Sequence, residues 1–95
     1  MKLKSISPST REGKKYDAVF MIDGKEKKVS FGLAGSSTFI DHADLEKREA
    51  YLSRHKVLEN WENPLSAGSL SRYILWGDSS NIIKNIRAFK KRFNL

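Results

Sequence analysis

Residues 64–77 have the sequence Pro-Leu-Ser-Ala-Gly-Ser-Leu-Ser-Arg-Tyr-Ile-Leu-Trp-Gly, in which Arg72 is the single charged side chain. Pro64 cannot continue a preceding helix, and Ser66 can cap a new one by accepting a hydrogen bond from a free backbone N–H. Gly77 offers the left-handed residue that commonly ends a helix. The stretch therefore predicts a short helix over residues 67–76. Because this helix is apolar on almost all sides, we expect most of its surface to be buried.

Gly68 lies inside this predicted helix, where glycine is less favourable than alanine by roughly 0.5–1 kcal/mol. Its best explanation is that another stretch of backbone approaches the helix closely at this point. We therefore expect the segment to lie at the centre of the fold, with a strand unit and two more polar helices packed around it.

The composition predicts one small domain over residues 1–95, with a β-hairpin unit in residues 1–35 and a three-helix unit in residues 41–95. The hydrophobic content of 39% is enough to form a core. The chain has no cysteine, which excludes disulfide bonds and thiolate chemistry. No apolar run is long enough to span a membrane, and the N-terminus lacks the apolar region of a signal peptide. We therefore expect a soluble, intracellular protein.

Charge is the unusual feature of the composition. Eighteen Lys and Arg residues against eleven Asp and Glu residues give a net charge of +7. Such a charge favours polyanionic partners, namely nucleic acid, an acidic protein surface or an anionic membrane face. A simple contribution to solubility explains it equally well, and both interpretations stay open at this point.

Two strands joined by a tight turn are the clearest local prediction. Residues 16–22 alternate as a strand does, with the even-numbered residues on one face. Asp23-Gly24 predicts a type I′ turn, which needs positive φ at both positions. A two-residue turn pairs Tyr16 with Phe31, whereas a three-residue loop shifts the register by one. Residues 1–7 are predicted to add a lysine-containing edge strand.

One helix is predicted between this hairpin and the central helix. Asp41 can cap it, and it is expected to run over residues 42–59. Its apolar residues lie on two faces, with Ala43, Ala50, Tyr51, Val57 and Leu58 on one, and Leu45 and Leu52 nearly opposite. A helix of this kind is either sandwiched or leaves one side for a partner.

A last helix is predicted over residues 81–93, with its N-terminal cap supplied by residues 78–80. Its apolar stripe has the spacing of one helical face and consists of Ile82, Ile86, Phe89 and Phe93. The predicted fold class is therefore α+β, with an N-terminal β-hairpin or three-stranded antiparallel meander followed by three α-helices.

No pattern indicates catalysis, so we expect no enzyme activity, no metal site and no cofactor. His42 and His55 would lie about 20 Å apart on one helix at a rise of ~1.5 Å per residue, too far to share a metal ion. The serines of residues 66–71 lack the Gly-x-Ser-x-Gly elbow of a nucleophile. Glu59 and Glu62 are a conceivable carboxylate pair, but nothing marks either one as buried.

Residues 32–38, Gly-Leu-Ala-Gly-Ser-Ser-Thr, superficially resemble a phosphate-binding loop because they follow a strand. The segment lacks the Gly-Lys-[Ser/Thr] ending of a P-loop and the third glycine of a dinucleotide-binding loop. A strand-to-helix connector is the favoured interpretation. The alternative is that its backbone amides hold one phosphate of a nucleic-acid strand.

The basic surfaces are the best binding candidates in the sequence. The predicted nucleic-acid or anion-binding residues are Lys25, Lys27, Lys28, Lys84, Arg87, Lys90, Lys91 and Arg92. The predicted residues of a partner interface are Leu45, Arg48, Leu52 and Trp61. No helix has Asn, Gln and Arg at a spacing suited to reading bases, so strong sequence specificity is not expected.

Several stretches together carry a family resemblance, and they are Val29-Ser30-Phe31-Gly32, Asp41-His42-Ala43-Asp44, residues 48–55, Trp61-Glu62-Asn63-Pro64, residues 67–76 and Lys91-Arg92-Phe93. In this combination the chain resembles a family of small basic proteins of nucleocytoplasmic large DNA viruses, especially those of algae and amoebae. The resemblance covers most of the chain from Tyr16 onward. It implies a viral origin and supplies no catalytic residues.

The leading functional expectation is a non-enzymatic, virion-associated structural protein, that is, a minor capsid or core component in contact with other viral structural proteins. The alternative is a sequence-nonspecific nucleic-acid-binding protein that uses its Lys and Arg surface. The expected location is the cytoplasm or nucleus of the infected host, with packaging in the virion if the structural role holds. The oligomeric state is left open.

Overall fold

A computed structural model describes all of residues 1–95. Its N-terminal third is one antiparallel sheet of three strands in the order β1-β2-β3, namely β1 (Lys2–Pro8), β2 (Lys14–Ile22) and β3 (Lys25–Leu33). The sheet is followed by helices, which confirms the predicted α+β class and selects the three-stranded alternative. The lysine-containing N-terminal segment forms an edge strand, as expected.

The turn between β2 and β3 has the predicted two-residue form. Asp23 and Gly24 have φ values of 50° and 79°. Tyr16 is therefore paired with Phe31, and their rings stack with centroids 6.0 Å apart. This result confirms the two-residue register and excludes the three-residue alternative.

The inner face of the sheet supplies half of the main core. Ala18, Phe20 and Phe31 are completely buried, and Leu3 of β1 joins them. The apolar cluster is completed by residues of the helices, namely Leu70, Ile74, Leu75 and Phe89. The helices therefore cover the face that the alternation of β2 marks as apolar.

The outer face of the sheet carries a buried carboxylate. Asp17 accepts hydrogen bonds from the hydroxyls of Ser9 and Ser30, both at 2.6 Å, and from the amide of Thr10 at 3.3 Å. The Ser30 bond and then the Ser9 bond keep the pKa of Asp17 below its usual value, against the opposing effect of burial. This network ties the loop between β1 and β2 to β3.

The predicted long helix over residues 42–59 is divided, which corrects the sequence prediction. A short helix α1 (Phe39–His42) ends at Ala43, whose φ is 54°, and a second helix α2 (Leu45–His55) begins after it. The cap of α2 is Asp44, which accepts from the amides of Glu46 and Lys47. Asp41 instead closes the capping box of α1.

The apolar faces predicted for this region are also wrong in part. Tyr51 is buried, but Val57 and Leu58 lie beyond the C-terminal end of α2 and are 83% and 79% exposed. Leu45 is 67% exposed as well. The pattern was misleading because a break at Ala43 and an early end at His55 remove the helical periodicity on which it depends.

The central helix begins at the predicted position. Ser66 accepts a hydrogen bond from the amide of Ser69, and helix α3 (Ala67–Leu70) continues directly as a π-helical segment (Ser71–Leu75). Leu70, Ile74 and Leu75 are fully buried, which confirms the expected burial. The α3 turn contacts β3, and the π-helical segment contacts both β3 and the last helix.

Two glycines of this region act differently from the prediction. A Cβ atom on Gly68 would meet the side chain of Glu59, with its Oε2 at 2.3 Å, so the close neighbour is a side chain and not a backbone. Gly77 does not have a left-handed conformation. It is buried instead, and a Cβ atom there would lie 2.3 Å from the backbone oxygen of Tyr73.

The last helix, α4 (Ile82–Phe93), matches its predicted bounds within one residue. Its cap is Asn81, and not one of residues 78–80, and it ends at the left-handed Asn94. Phe89 of the predicted stripe is fully buried, and Ile82, Ile86 and Phe93 are partly buried against the same cluster. No helix reaches the length and apolar character required to cross a lipid bilayer.

Candidate functional site

The C-terminal helix carries a dense group of positive charges that the fold leaves largely uncompensated. Residues 81–95 include five Lys and Arg residues and no Asp or Glu. Burial of Phe89 directs Lys84, Arg87 and Lys91 toward solvent, and all three are exposed. None of these three side chains forms an ion pair. We name this surface, Lys84, Arg87, Lys90, Lys91 and Arg92, the α4 basic face.

The lysines of the β2–β3 hairpin form a separate and weaker basic group. Lys25, Lys27 and Lys28 are exposed, but Lys28 Nζ lies 3.9 Å from the carboxylate of Asp17. The neighbouring Glu26 pairs with a lysine of β1. The two groups of predicted anion-binding residues therefore lie on different elements, one on the hairpin and one on α4.

The four residues of the predicted partner interface differ in exposure and in contacts. Arg48 is only 14% exposed in its side chain, because its Nε donates to Gly77 O at 2.9 Å and its Nη2 donates to Asp78 at 2.8 Å. Arg48 is therefore occupied within the fold. Trp61 is half-buried, with the guanidinium of Arg72 located 5.2 Å from its ring centroid. Leu45 faces solvent, and Leu52 is half-buried.

A cleft of about 750 Å³ lies between the loop after β3 and the C-terminal end of α2, and no sequence motif points to it directly. Its wall includes Tyr51, His55, Glu59 and Trp76. Glu59 Oε1 is hydrogen-bonded to Nδ1 of His55. The spacing of four residues between these two groups, which lets side chains meet on one helical turn, is the signal from which the pair could have been predicted.

Four aromatic rings form a continuous column beside this cleft. The centroid distances are 5.4 Å from His42 to Trp76, 4.3 Å from Trp76 to Tyr51 and 4.1 Å from Tyr51 to His55. The column joins α1, α2 and the residue after the π-helical segment. Burial raises the pKa of Tyr51 to about 12, with a further contribution from the charge of Glu59. Because the Trp76 ring lies between those of His42 and Tyr51, it serves the packing of α1 against α2.

The hydroxyl groups near the cleft are engaged in local hydrogen bonds. Ser66 Oγ accepts from the amide of Ser69 and donates to the backbone oxygen of Asn63 at 2.9 Å. Ser69 Oγ donates to the same oxygen at 2.6 Å. These hydroxyls cap and anchor the central helix. No group of three or more His, Cys, Asp or Glu side chains has an arrangement that could hold a metal ion.

The loop of residues 32–38 lines the cleft, and Lys15 stabilises its position through hydrogen bonds. Lys15 Nζ donates to Ser36 O at 2.6 Å and to Asp41 Oδ2 at 3.1 Å. Asp41 also accepts from the amide of Thr38 at 2.8 Å, and this bond is the first cause of its lowered pKa. The loop is thus a braced connector into α1. Phosphate binding by its amides stays a prediction.

Residues 4–55 match a family of unknown function, DUF5754. In an alignment of 78 residues the chain is 38% identical to an uncharacterized protein of Acanthamoeba polyphaga mimivirus, with 75% of this chain and 78% of that protein covered. No solved structure matches the chain. The family match includes the sheet, α1 and α2, and the viral relative agrees with the giant-virus resemblance of the sequence.

Proposed function

This chain belongs to the DUF5754 family, and on that premise we propose that it is a small non-enzymatic viral protein that binds the phosphate backbone of nucleic acid without sequence specificity. The α4 basic face is the single observation that carries the proposal. Its charges lie on one helix, on a segment without acidic residues, and all of them except Arg92 form no ion pair within the fold. Each phosphate bound there would release condensed counterions from the nucleic acid.

Two asparagines of the α4 region are already used by the fold. Asn81 is the N-terminal cap, and its Oδ1 accepts from the amides of Ile83 and Lys84. Asn85 is buried, and its Nδ2 donates to Ile74 O at 2.9 Å and to Ser79 O at 2.7 Å. Because bidentate readout of adenine needs a free Asn or Gln amide, Asn81 and Asn85 are not available for it, which favours contacts to the phosphate backbone.

The salt dependence of binding tests this proposal. We expect the logarithm of the affinity for duplex DNA to fall linearly with the logarithm of the salt concentration. The variant Lys84→Gln/Arg87→Gln/Lys91→Gln should bind more weakly, with a slope reduced by roughly 0.9 for each phosphate that the variant no longer neutralises. Fluorescence anisotropy with a labelled duplex measures both quantities.

A matched variant separates a specific surface from overall charge. Lys47→Gln/Arg54→Gln/Lys56→Gln removes the same three charges from α2 and the residue after it, a segment that also contains acidic residues. We expect its DNA affinity and salt slope to remain close to those of the wild type. An equal weakening of DNA binding in the two triple variants would contradict the assignment to α4.

A second candidate, a structural component of the virus particle, is favoured by the exposed apolar side chains of Leu45, Val57 and Leu58. The aromatic residues do not support it, because Phe20, Phe31 and the aromatic column are used inside the fold. Proteomics of purified particles, with and without the DNA-containing core, tests this role. Presence in the shell fraction without DNA binding would favour the second candidate over the first.

A further inference from the structure

A depression of about 150 Å³ lies between the π-helical segment and α4, and two arginines line it. Arg72 comes from the π-helical segment and Arg92 from α4. Both guanidinium groups pack on the ring of Tyr73, with their central carbons 4.9 Å and 4.3 Å from its centroid. We name this feature the arginine depression. Its remaining lining residues are Gly77, Asp78, Asn85, Ala88 and Phe89.

The hydrogen-bonding capacity of these arginines is mostly unused. A guanidinium has five N–H donors in a fixed plane. Arg72 makes one hydrogen bond, from Nη1 to Trp76 O at 3.1 Å, and its Nε is buried without an acceptor. Arg92 makes none, since its nearest carboxylate oxygen, on Glu62, is 3.9 Å away. A charged donor buried without an acceptor is unfavourable and therefore unusual.

The positive charge of Arg72 is also not paired with a carboxylate. Burial lowers the pKa of Arg72, and the neighbouring charge of Arg48 lowers it further. Two carboxylates are near, but Asp78 is 97% exposed and its Oδ1 already accepts from Arg48. Glu62 is 82% exposed and faces Arg92 only loosely. Arg72 therefore has no carboxylate paired with it, and Arg92 has only the loosely placed and exposed Glu62.

We propose that the arginine depression holds one phosphate group, bound by the guanidinium groups of Arg72 and Arg92. The planar fork of arginine matches two oxygens of a phosphate, so a single group can accept from both side chains. The depression is smaller than the ~300 Å³ at which pockets for whole ligands begin, which fits a phosphate and leaves a base or sugar outside. This inference rests on the proposed function, because the group can be one phosphate of a nucleic-acid backbone, although free phosphate has the same chemistry.

Two single variants on α4 provide a matched test. Arg92→Gln and Arg87→Gln remove one charge each from exposed positions, but only Arg92 lines the depression. The probe is inorganic phosphate, and the readout is the NMR signal of the Arg72 Nε–H group in a ¹H–¹⁵N spectrum. We expect a saturable shift of this signal in the wild type and in Arg87→Gln. In Arg92→Gln the phosphate affinity should be roughly tenfold lower.

A variant of Arg72 and an oligonucleotide ligand test the role of the planar guanidinium and the source of the phosphate. Arg72→Lys keeps the charge and removes the planar fork, so its phosphate affinity, followed through the Nε–H signal of Arg92, should also fall, while its circular dichroism spectrum checks the fold. A short oligothymidylate, and the same oligomer with neutral methylphosphonate links, show whether the bound group comes from a nucleic-acid backbone. A response to the charged oligomer, without a response to the neutral methylphosphonate oligomer, assigns the depression to nucleic acid.

Phosphate binding in the arginine depression and nucleic-acid binding on α4 can fail independently, and the measurements distinguish the two failures. A shift of the Arg72 signal by inorganic phosphate, with no binding of oligonucleotides, would support the depression and reject the nucleic-acid role. Oligonucleotide binding that weakens equally in Arg92→Gln and Arg87→Gln would support the role and overturn the depression. Absence of any Arg72 shift with phosphate and with oligothymidylate would also overturn the depression.

Discussion

Gly77→Ala is the substitution for which the fold gives the clearest expectation. Gly77 is buried where the chain leaves the π-helical segment. An added Cβ atom would lie 2.3 Å from the backbone oxygen of Tyr73 and 2.7 Å from Cγ of Asn85. Real Cβ contacts are not this short, so the turn or the Asn85 side chain must move. The backbone φ of Gly77 is not positive, so the predicted effect is a steric clash and not conformational strain.

The expected loss of stability follows from the two groups that the added Cβ atom would meet, which are the backbone oxygen of Tyr73 and the side chain of Asn85. Overpacking a filled site typically costs about 1–3 kcal/mol. Displacing Asn85 also weakens its hydrogen bonds to Ile74 O, Ser79 O and Ser79 N, and a buried group left without a partner costs about 1–3 kcal/mol. We therefore expect Gly77→Ala to lower the free energy of unfolding by about 2–6 kcal/mol. For a domain of this size, that corresponds to a fall in Tm of at least about 8 °C.

Urea and thermal unfolding followed by circular dichroism measure this decrease in stability. Gly13→Ala is the control, because Gly13 has a φ of +81° and no atom within 4 Å of the added Cβ. It isolates the cost of a left-handed alanine, about 1–2 kcal/mol, without a clash. A decrease for Gly77→Ala no greater than that for Gly13→Ala would refute the reasoning from close packing.

Three further predictions concern stability. Gly24→Val places a β-branched residue at a φ of +79°, and thermal unfolding should show a destabilisation of about 1–3 kcal/mol, whereas an unchanged Tm would argue against the turn. Because the folded-state pKa of Asp17 is lowered, its stabilisation is present above about pH 4 and is lost as the pH falls through that lower pKa. Asp17→Asn should therefore flatten the acid limb of the unfolding free energy, and a limb as steep as that of the wild type would contradict this. Gly68→Leu should destabilise by about 1–3 kcal/mol through its clash with Glu59. In a Glu59→Ala background, which keeps only the Cβ atom 3.1 Å away, the loss should be smaller, and an equal loss in both backgrounds would exclude the Glu59 carboxylate as its cause.

The sheet could be predicted from the sequence because its signals are local. The alternation of β2 fixes which residues face the core, and Asp23-Gly24 fixes the register through the geometry of one turn. The start of the central helix was predictable for the same reason, since Pro64 and Ser66 act within one turn of their own positions. The stripe of α4 repeats over three turns, and so it survives an error of one residue at either end.

The division of α1 from α2 could not be predicted in this way. Ala43 is a good helix former, and its left-handed conformation is stabilised by its surroundings and not by its own preference. Asp44 then caps α2, while the His42 ring is held by the amide of Asp44 and the indole of Trp76. The cleft was not predictable for a related reason. Its walls come from segments that are distant in the sequence and are joined by the aromatic column.

The distribution of charge along the chain links the two candidate functions. Residues 41–62 contain six Asp and Glu residues and four Lys and Arg residues, whereas residues 81–95 contain five Lys and Arg residues and no acid. A polyanion is therefore attracted to residues 81–95 more strongly than to residues 41–62. Leu45, Val57 and Leu58 lie on α2 and in the segment after it, so nucleic acid on α4 would leave them free for a protein partner. If both roles hold, Leu45→Ser/Leu58→Ser should reduce incorporation into particles and leave DNA affinity unchanged. A parallel decrease of DNA binding in that variant would show that one surface serves both purposes.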